Sequence, residues 1–264
     1  MNRIAPTRAT RWIIGILVVA FFLVPLASTL LYTVQTPDGS TTLARWAALA
    51  DPSASAALRP IWIGLTNSLV LALVTVAIVL LLLAPTMILV NLRFPRLKPL
   101  FEFVALLPIS IPAIVLVVGL APIYLHIARS IGTGTWTLAF AYGITVLPFA
   151  YRSIQASIDA ADLKTLAEAA RSLGAGWPTV VLRVLAPNLR QGLLAASLIS
   201  IAVVLGEFTI ASLLNRDVFQ TAMLVVSKRD PYLPAIFTLL ALAFCFVLLL
   251  IVGRVGRGSR KAQP

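Results

Sequence analysis

Charged side chains are scarce in this chain: they make up 11% of its 264 residues, whereas 60% are hydrophobic and the mean hydropathy is +0.99. A soluble domain of this length carries about a quarter charged residues. Several apolar runs are long enough to cross a hydrocarbon core of about 30 Å, which takes roughly 20 residues in a helix. The runs are continuous and rich in Leu, Val and Ala, unlike the alternating strands of a membrane barrel. We therefore predict an all-α, polytopic transmembrane helical bundle.

Residues that carry chemistry are also scarce. The one cysteine, Cys245, lies in an apolar run, and the one histidine, His126, has no His or Cys near it in sequence, so neither an internal disulfide nor a metal site is predicted. The nine acidic residues are scattered and form no hydrolytic pair. None of the four lysines closes a GxxxxGK[ST] phosphate-binding loop. We expect no enzyme site, no bound cofactor and no ATP site in this chain.

Six apolar runs are predicted to span the membrane within a domain covering residues 12–253. Their approximate limits are 12–34, 61–90, 99–124, 136–151, 191–214 and 234–252. A polar N-terminal tail, residues 1–11, precedes the first run, and a basic tail, residues 254–264, follows the last. The first run is longer than the apolar core of a cleavable signal peptide, which has about 7–15 residues, so we favour a retained span over that alternative.

The distribution of positive charge predicts the orientation of these spans. Six spans place both tails on one side, and the segments on that side hold 15 of the 21 Lys and Arg residues, whereas the opposite loops hold six. Because cytoplasmic loops are enriched in Lys and Arg, both termini are predicted to be cytoplasmic. The net charge of +12 is explained by this topology, and no nucleic-acid partner is expected.

Residues 162–187 form the longest interval between two apolar runs that still has a helical pattern, and the charge distribution places them in the cytoplasm. Thr165 and Glu168 fit a capping box at the start of a helix. Gly174 is suited to the left-handed conformation that ends a helix, and Pro178 to the first turn of a second one. One apolar face of the first helix is predicted from helical spacing, and its members are Leu166, Ala169, Ala170 and Leu173.

The same interval contains a motif with two fixed spacings. Glu168-Ala169-Ala170 is followed after three residues by Gly174, and after nine more by Val184-Leu185-Ala186-Pro187. This pattern resembles the EAA motif of ABC-transporter permease subunits, which reads EAA, three residues, Gly, nine residues, then Ile, any residue and Leu-Pro. Val184 replaces the isoleucine conservatively, and Ala186 replaces the leucine with a smaller apolar residue.

Three shorter motifs extend the resemblance over roughly residues 60–254. Leu107–Pro112 is similar to the LPxxxP segment of the family, Asn67–Leu69 to its N-[ST]-L pattern, and Leu205–Phe208 to the LGEF of many importer permeases. The overall pattern looks closest to the spermidine/putrescine-type branch. Permeases for iron(III), phosphonate, thiamine and molybdate or sulfate are also similar, so the substrate stays open.

The resemblance implies a type I ABC importer permease in a bacterial inner membrane. Such a subunit forms half of a translocation pathway with a second permease, identical or related, and it receives solute from an extracytoplasmic binding protein. A pair of cytoplasmic ATPase subunits uses ATP and docks on the EAA loop. The residues carried over to this coupling role are Thr165, Glu168, Ala169, Ala170, Gly174, Val184 and Pro187. Glu168 would make the charged contact with the ATPase, although it also fits a purely local cap worth about 1 kcal/mol.

Candidate pathway residues are Pro108, Ser110, Pro112, Tyr142 and Glu207. A carboxylate inside a span costs about 2.5–3.5 kcal/mol on insertion scales, so Glu207 is read as functional unless it lies near the outer water interface. The two prolines free backbone carbonyls and favour either a pathway or a packed kink.

Two other function classes stay open. A secondary, ion-coupled transporter would need coupling carboxylates or broken helices in paired halves, and no internal repeat is evident. An integral membrane enzyme would need a reactive cluster, which the sequence lacks.

Overall fold

The computed structural model describes residues 7–36, 38–50 and 55–258, and helices dominate this part of the chain. The α-helices are α1 Arg8–Val34, α2 Ala44–Ala47, α3 Ser55–Ile78, α4 Ala84–Arg93, α5 Lys98–Leu106, α6 Ala113–Ser130, α7 Ala139–Ala160, α8 Leu163–Ser172, α9 Trp177–Thr179, α10 Ala186–Asn188, α11 Arg190–Gly206, α12 Thr209–Leu213, α13 Phe219–Ser227 and α14 Tyr232–Gly258. Two π-helical turns, Val79–Leu83 and Val180–Leu185, join α3 to α4 and α9 to α10. The all-α prediction is confirmed. The predicted tails lie partly outside the described residues.

Within the described residues, four helical stretches are long and apolar enough to cross a membrane, and a fifth counts if one bent pair is a single span. The four are Arg8–Val34, Leu58–Arg93, Ala113–Ser130 and Tyr232–Ile251. The bent pair is Trp177–Asn188 with Arg190–Gly206, at 76° to each other. The structure therefore supports a membrane-spanning helical protein but does not confirm six spans.

Two of the predicted spans are broken helices. The third, 99–124, is interrupted between α5 and α6 by the 3-10 turn Leu107–Ser110 and by Pro112, whose ψ is 138°. Proline lacks an N–H and clashes with the preceding turn, so a continuous α-helix is disfavoured there. The fifth, 191–214, stops at Gly206 because Glu207 is extended, with φ −81° and ψ 128°.

The predicted fourth span, 136–151, lies mostly in α7, which is a buried helix of mixed polarity. α7 has 22 residues, but polar side chains in its second half lower its apolar character below that of a full span. Tyr142, Val146 and Ile154 on α7 are completely buried. α7 is thus a core helix around which other helices pack.

The described residues fold into two units, one within residues 1–59 and 223–244 and the other within residues 60–222 and 245–264. In the first unit, α1 ends in a loop held by one arginine. The Arg45 guanidinium donates to the carbonyls of Gln35 and Thr33 at 2.8 and 3.2 Å, and it lies 3.6 Å from the centre of the Tyr232 ring. Tyr32 stacks on the same ring with centroids 4.9 Å apart. These contacts fix the start of α14 against the end of α1.

The second unit contains two buried apolar clusters. One surrounds Met87, Ile154 and Leu185, and receives residues of α4, α7, α8 and α11. The other surrounds Leu71 and Tyr142 and receives residues of α3, α6, α7 and α12. α7 contributes to both clusters and packs closely along α11, where a Cβ built on Gly192 would lie 2.6 Å from the carbonyl oxygen of Ser153. Residues of the interval 162–187 pack against the first cluster.

Candidate functional site

The first helix of the polar interval, α8, begins three residues earlier than the capping-box prediction requires. Asp162 is the N-cap, and its carboxylate accepts a weak hydrogen bond from the Thr165 backbone N–H at 3.5 Å. Thr165 lies inside the helix, so the predicted capping box of Thr165 and Glu168 is wrong. Asp162 adopts φ 36°, in the left-handed region that Asp tolerates better than most residues. This conformation turns the chain sharply from α7 into α8.

The buried face of α8 also differs from the predicted one. Leu163 and Ala167 are each 4% exposed and belong to the apolar cluster around Met87, while Leu166 and Ala170 pack partly against it. Ala169 is exposed, contrary to the prediction. The face that meets the core is set by packing against the turn Val180–Leu185 and the apolar cluster, and not by spacing alone.

The turn after α8 has the predicted geometry. Gly174 has φ 83°, and its N–H donates to the Arg171 carbonyl at 3.0 Å, while the Ala175 N–H donates to the Ala170 carbonyl at 3.1 Å. These two bonds form a complete Schellman motif, in which the left-handed residue is most often glycine. The prediction that Gly174 ends the helix is confirmed. Leu173, which was predicted to lie on the apolar face of the first helix, is 89% exposed at the same turn, so that part of the prediction is wrong.

A second helical segment runs from Trp177 to Asn188 and includes Pro178 in its first turn, as predicted. Val180 and Leu185 are completely buried, and Val184 packs partly against the same cluster. Pro187 lies in the last turn, directly before the 76° bend into α11. Residues 163–188 therefore form two helices anchored on one core.

The exposed face of α8 is charged. Lys164 and Glu168 form a loose ion pair, with Nζ and Oε1 3.9 Å apart, and their side chains are 79% and 69% exposed. The Arg171 guanidinium lies 5.3 Å from the centre of the Trp177 ring. An exposed pair of this kind contributes at most about 1 kcal/mol to stability.

The structure brings the candidate pathway residues into two different places. Pro108, Ser110 and Pro112 form the break between α5 and α6, where Ser110 and Pro112 are exposed. Tyr142 is completely buried in the cluster around Leu71, so within this chain it is a packing residue and not a lining residue.

Glu207 has a local role that the sequence did not reveal. Both of its carboxylate oxygens lie 3.0 Å from the Ile210 backbone nitrogen, so the side chain caps the short helix α12. The completely buried Tyr142 side chain lies within electrostatic reach of this carboxylate. A capped, half-buried carboxylate is less costly than an isolated one inside a continuous span.

The N-[ST]-L residues tie α3 to the loop before α13. The Asn67 side-chain amide donates to the Asp217 carbonyl at 2.8 Å, and the Ser68 hydroxyl accepts from the Phe219 N–H at 2.9 Å. In this chain the motif holds the loop in place through these two hydrogen bonds.

A polar network at the far end of α7 was missed by sequence reasoning. Asn91 and Gln155 exchange side-chain hydrogen bonds at 3.2 and 3.3 Å, Gln155 also donates to Asp159 at 2.8 Å, and Lys98 forms an ion pair with Asp159 at 2.9 Å. Partial burial raises the pKa of Asp159, but the hydrogen bonds from Lys98 and Gln155 outweigh it and hold the pKa below its usual value. The partners lie 61 and 64 residues apart in sequence, so no local pattern signals the network.

Across the described ranges, no group of three His, Cys, Asp or Glu side chains is arranged to hold a metal ion. The long apolar helices define an integral membrane protein.

A family model, the binding-protein-dependent transport system inner membrane component, matches residues 87–260, which is more than half of the chain. The chain belongs to this family and is a permease subunit of an ABC transporter. The matched stretch includes the LPxxxP, EAA and LGEF segments, whereas Asn67–Leu69 lies before it. A comparison with curated proteins found no match.

Proposed function

We propose that this permease is part of an ATP-driven importer and that residues 162–187 couple it to a separate cytoplasmic ATPase. The observation that carries the proposal is the exposure of Leu173, which is 89% exposed at the tip of a rigid turn. Burying a leucine side chain contributes roughly 1.5–3 kcal/mol, so a fixed, exposed leucine favours a partner surface. Leu182, on the second helical segment, is also 70% exposed.

The anchoring of the helix pair supports a mechanical role. Leu163 and Leu185 hold the two helices on the same apolar cluster, and the Schellman turn fixes the angle between them. A displacement of Leu173 by the ATPase therefore moves both helices together and, through the bend after Asn188, moves α11. A flexible loop would absorb the same displacement without transmitting it.

Within this unit each coupling residue has a distinct role. Glu168 presents a charge to the ATPase, and Ala169 and Ala170 permit close approach because they lack bulk. Gly174 sets the turn, while Val184 and Pro187 position the return to the membrane. Thr165 faces away from the core and contributes surface rather than a cap.

The assembly follows the family pattern. A second permease, identical or related, completes the pathway, two ATPase subunits bind and hydrolyse ATP, and an extracytoplasmic binding protein delivers the solute. Both termini are cytoplasmic in a bacterial inner membrane, and alternating access arises from rigid-body rocking of the two permeases. The substrate is a small solute, polyamine-like if the spermidine/putrescine-type resemblance extends to cargo.

Co-purification of the ATPase tests the proposal. Glu168→Lys should abolish recovery of the ATPase with the permease because it replaces the attracting charge with a repelling one. Glu102→Lys, an exposed carboxylate on α5, is the matched control and should leave recovery unchanged.

Two results would contradict the proposal. The first is full ATPase recovery with Glu168→Lys and with Leu173→Ala. The second is solute uptake into vesicles that contain this chain, driven by an ion gradient without ATP, which would establish the ion-coupled alternative instead.

A further inference from the structure

A cavity of about 850 Å³ separates the end of α4 from the helix pair α8–α9. Its walls are apolar, with Ile88, Leu89 and Leu92 on the α4 side and Ala167 and Val181 on the other. Leu89 is 53% exposed, so much of this wall is uncovered. A cavity of this size is within the range of small-molecule sites, about 300–1,000 Å³.

The charged residues of the cavity lie together, and most are cationic. Arg93, Lys164 and Arg171 line it together with a single carboxylate, Glu168. Glu168 interacts with Lys164 at 3.9 Å, which leaves Arg93 and Arg171 without a carboxylate among the residues that line the cavity. The cavity therefore favours a ligand that carries negative charge.

The position of the cavity along α4 places it at a membrane boundary. Arg93 is the last residue of Leu58–Arg93, a stretch long and apolar enough to cross a membrane, and Leu89 lies one turn earlier. Two aromatic side chains, Phe94 and Trp177, line the cavity as well, and each is 48% exposed. Exposed aromatic rings beside a basic span end are typical of the lipid headgroup level.

We propose that this cavity binds an anionic phospholipid from the surrounding bilayer. Arg93 and Arg171 bind the phosphate, and one acyl chain lies along Leu89 and Leu92 toward the hydrocarbon core. Basic pockets at this level suit acidic headgroups, because each cation near the surface contributes to the attraction. The proposal rests on the membrane location of α4 and does not require that α8 docks on an ATPase.

The ATPase fits this cavity less well than a lipid does. The apolar wall on the α4 side belongs to a candidate membrane span, whereas the ATPase is proposed to bind on the cytoplasmic side. Leu173 and Leu182, the most exposed leucines of the helix pair, do not line the cavity. Of the residues proposed to couple to the ATPase, Glu168 is the one that also lines the cavity, and the exposed leucines lie outside it.

Native mass spectrometry of the purified transporter tests the proposal. Complexes taken from phosphatidylcholine nanodiscs that contain phosphatidylglycerol should retain phosphatidylglycerol selectively. Arg93→Gln should weaken this retention about fivefold, the effect of one surface cation. Arg96→Gln, a change at an exposed arginine three residues further along the chain that does not line the cavity, should leave it unchanged.

The acyl chain has its own readout. The fluorescence of Trp177 is obtained as the difference between the unmodified chain and Trp177→Phe. Phosphatidylglycerol with brominated chains should quench this fluorescence, and brominated phosphatidylcholine should quench it less. Equal quenching by both lipids, or equal phosphatidylglycerol retention in Arg93→Gln and Arg96→Gln, would overturn the proposal. Displacement of the bound lipid by added ATPase would also overturn it, since the cavity would then belong to the ATPase interface. ATPase recovery, measured on the same samples, tests the coupling proposal separately.

Discussion

α1 and α8 are both largely exposed helices, but they expose opposite surfaces. Of the described residues of α1, Thr33 alone is buried, and the exposed side chains include Phe21, Phe22 and Leu23. α8 is polar, buries Leu163 and Ala167 in the core, and exposes charges and a single leucine. The apolar surface of α1 is stable only in lipid. The surface of α8 is compatible with water, and the exposed Leu173 that follows it is where we propose a protein contact.

The largest expected effect distinguishes two leucines of the α8 region. Leu163→Ala removes a buried side chain, 4% exposed, and should destabilise the protein by about 2–5 kcal/mol. Leu173→Ala removes an exposed one and should change stability by less than about 0.5 kcal/mol while weakening ATPase binding. Thermal unfolding in detergent together with ATPase recovery checks both. Equal destabilisation by the two substitutions would show that Leu173 is also a core residue.

A charge in α1 should act on membrane insertion. Leu23→Asp places a carboxylate near the middle of an apolar helix and should cost about 2.5–3.5 kcal/mol in an insertion assay. Leu173→Asp, the matched substitution, should have no insertion cost because the helix pair is proposed to lie in the cytoplasm. If both variants insert normally, α1 does not contact lipid as its exposure indicates.

Adding a methyl group where α7 packs against α11 should lower the free energy of unfolding by about 1–3 kcal/mol, because the contact would be overpacked. In Gly192→Ala the new Cβ would lie 2.6 Å from the Ser153 carbonyl oxygen, which belongs to the backbone and yields little. In Gly206→Ala the new Cβ meets no atom within 4 Å in the described part of the chain, so it serves as the control. Thermal unfolding of the two variants measures the difference, and a Gly192→Ala variant as stable as Gly206→Ala would contradict this packing.

The smallest effect concerns the start of α8. Asp162→Ala removes the N-cap and should cost about 1 kcal/mol. Thr165→Ala should change stability by less than about 0.5 kcal/mol, because Thr165 lies within the helix. A larger loss of stability with Thr165→Ala than with Asp162→Ala would support the capping box that the sequence predicted.

The sequence predicted local features of this region better than its packing. Gly174 and Pro178 act through their own backbone geometry, so their roles could be predicted without knowing which residues they contact. The buried face of α8 was mispredicted because it depends on packing against the turn Val180–Leu185 and the cluster around Met87, which helical spacing does not reveal.

The breaks in the predicted spans also combine a local signal with packing that the sequence did not show. Pro108 and Pro112 signal a break, but they did not show that the third span divides into two helices. The extended backbone at Glu207 depends on the fit of α12 against the core, which no run of apolar residues reveals. The network of Asn91, Gln155 and Asp159 likewise joins helices that are distant in sequence.

Crosslinking from the turn of the helix pair tests the coupling role most directly. With Cys245 changed to serine, Leu173→Cys gives a chain with one thiol, and Leu163→Cys gives a matched chain whose thiol is buried. In the assembled transporter, a short thiol-to-amine crosslinker should join position 173 to the ATPase and leave position 163 unlinked. An ATPase that co-purifies and hydrolyses ATP but is never linked from position 173 would contradict the account.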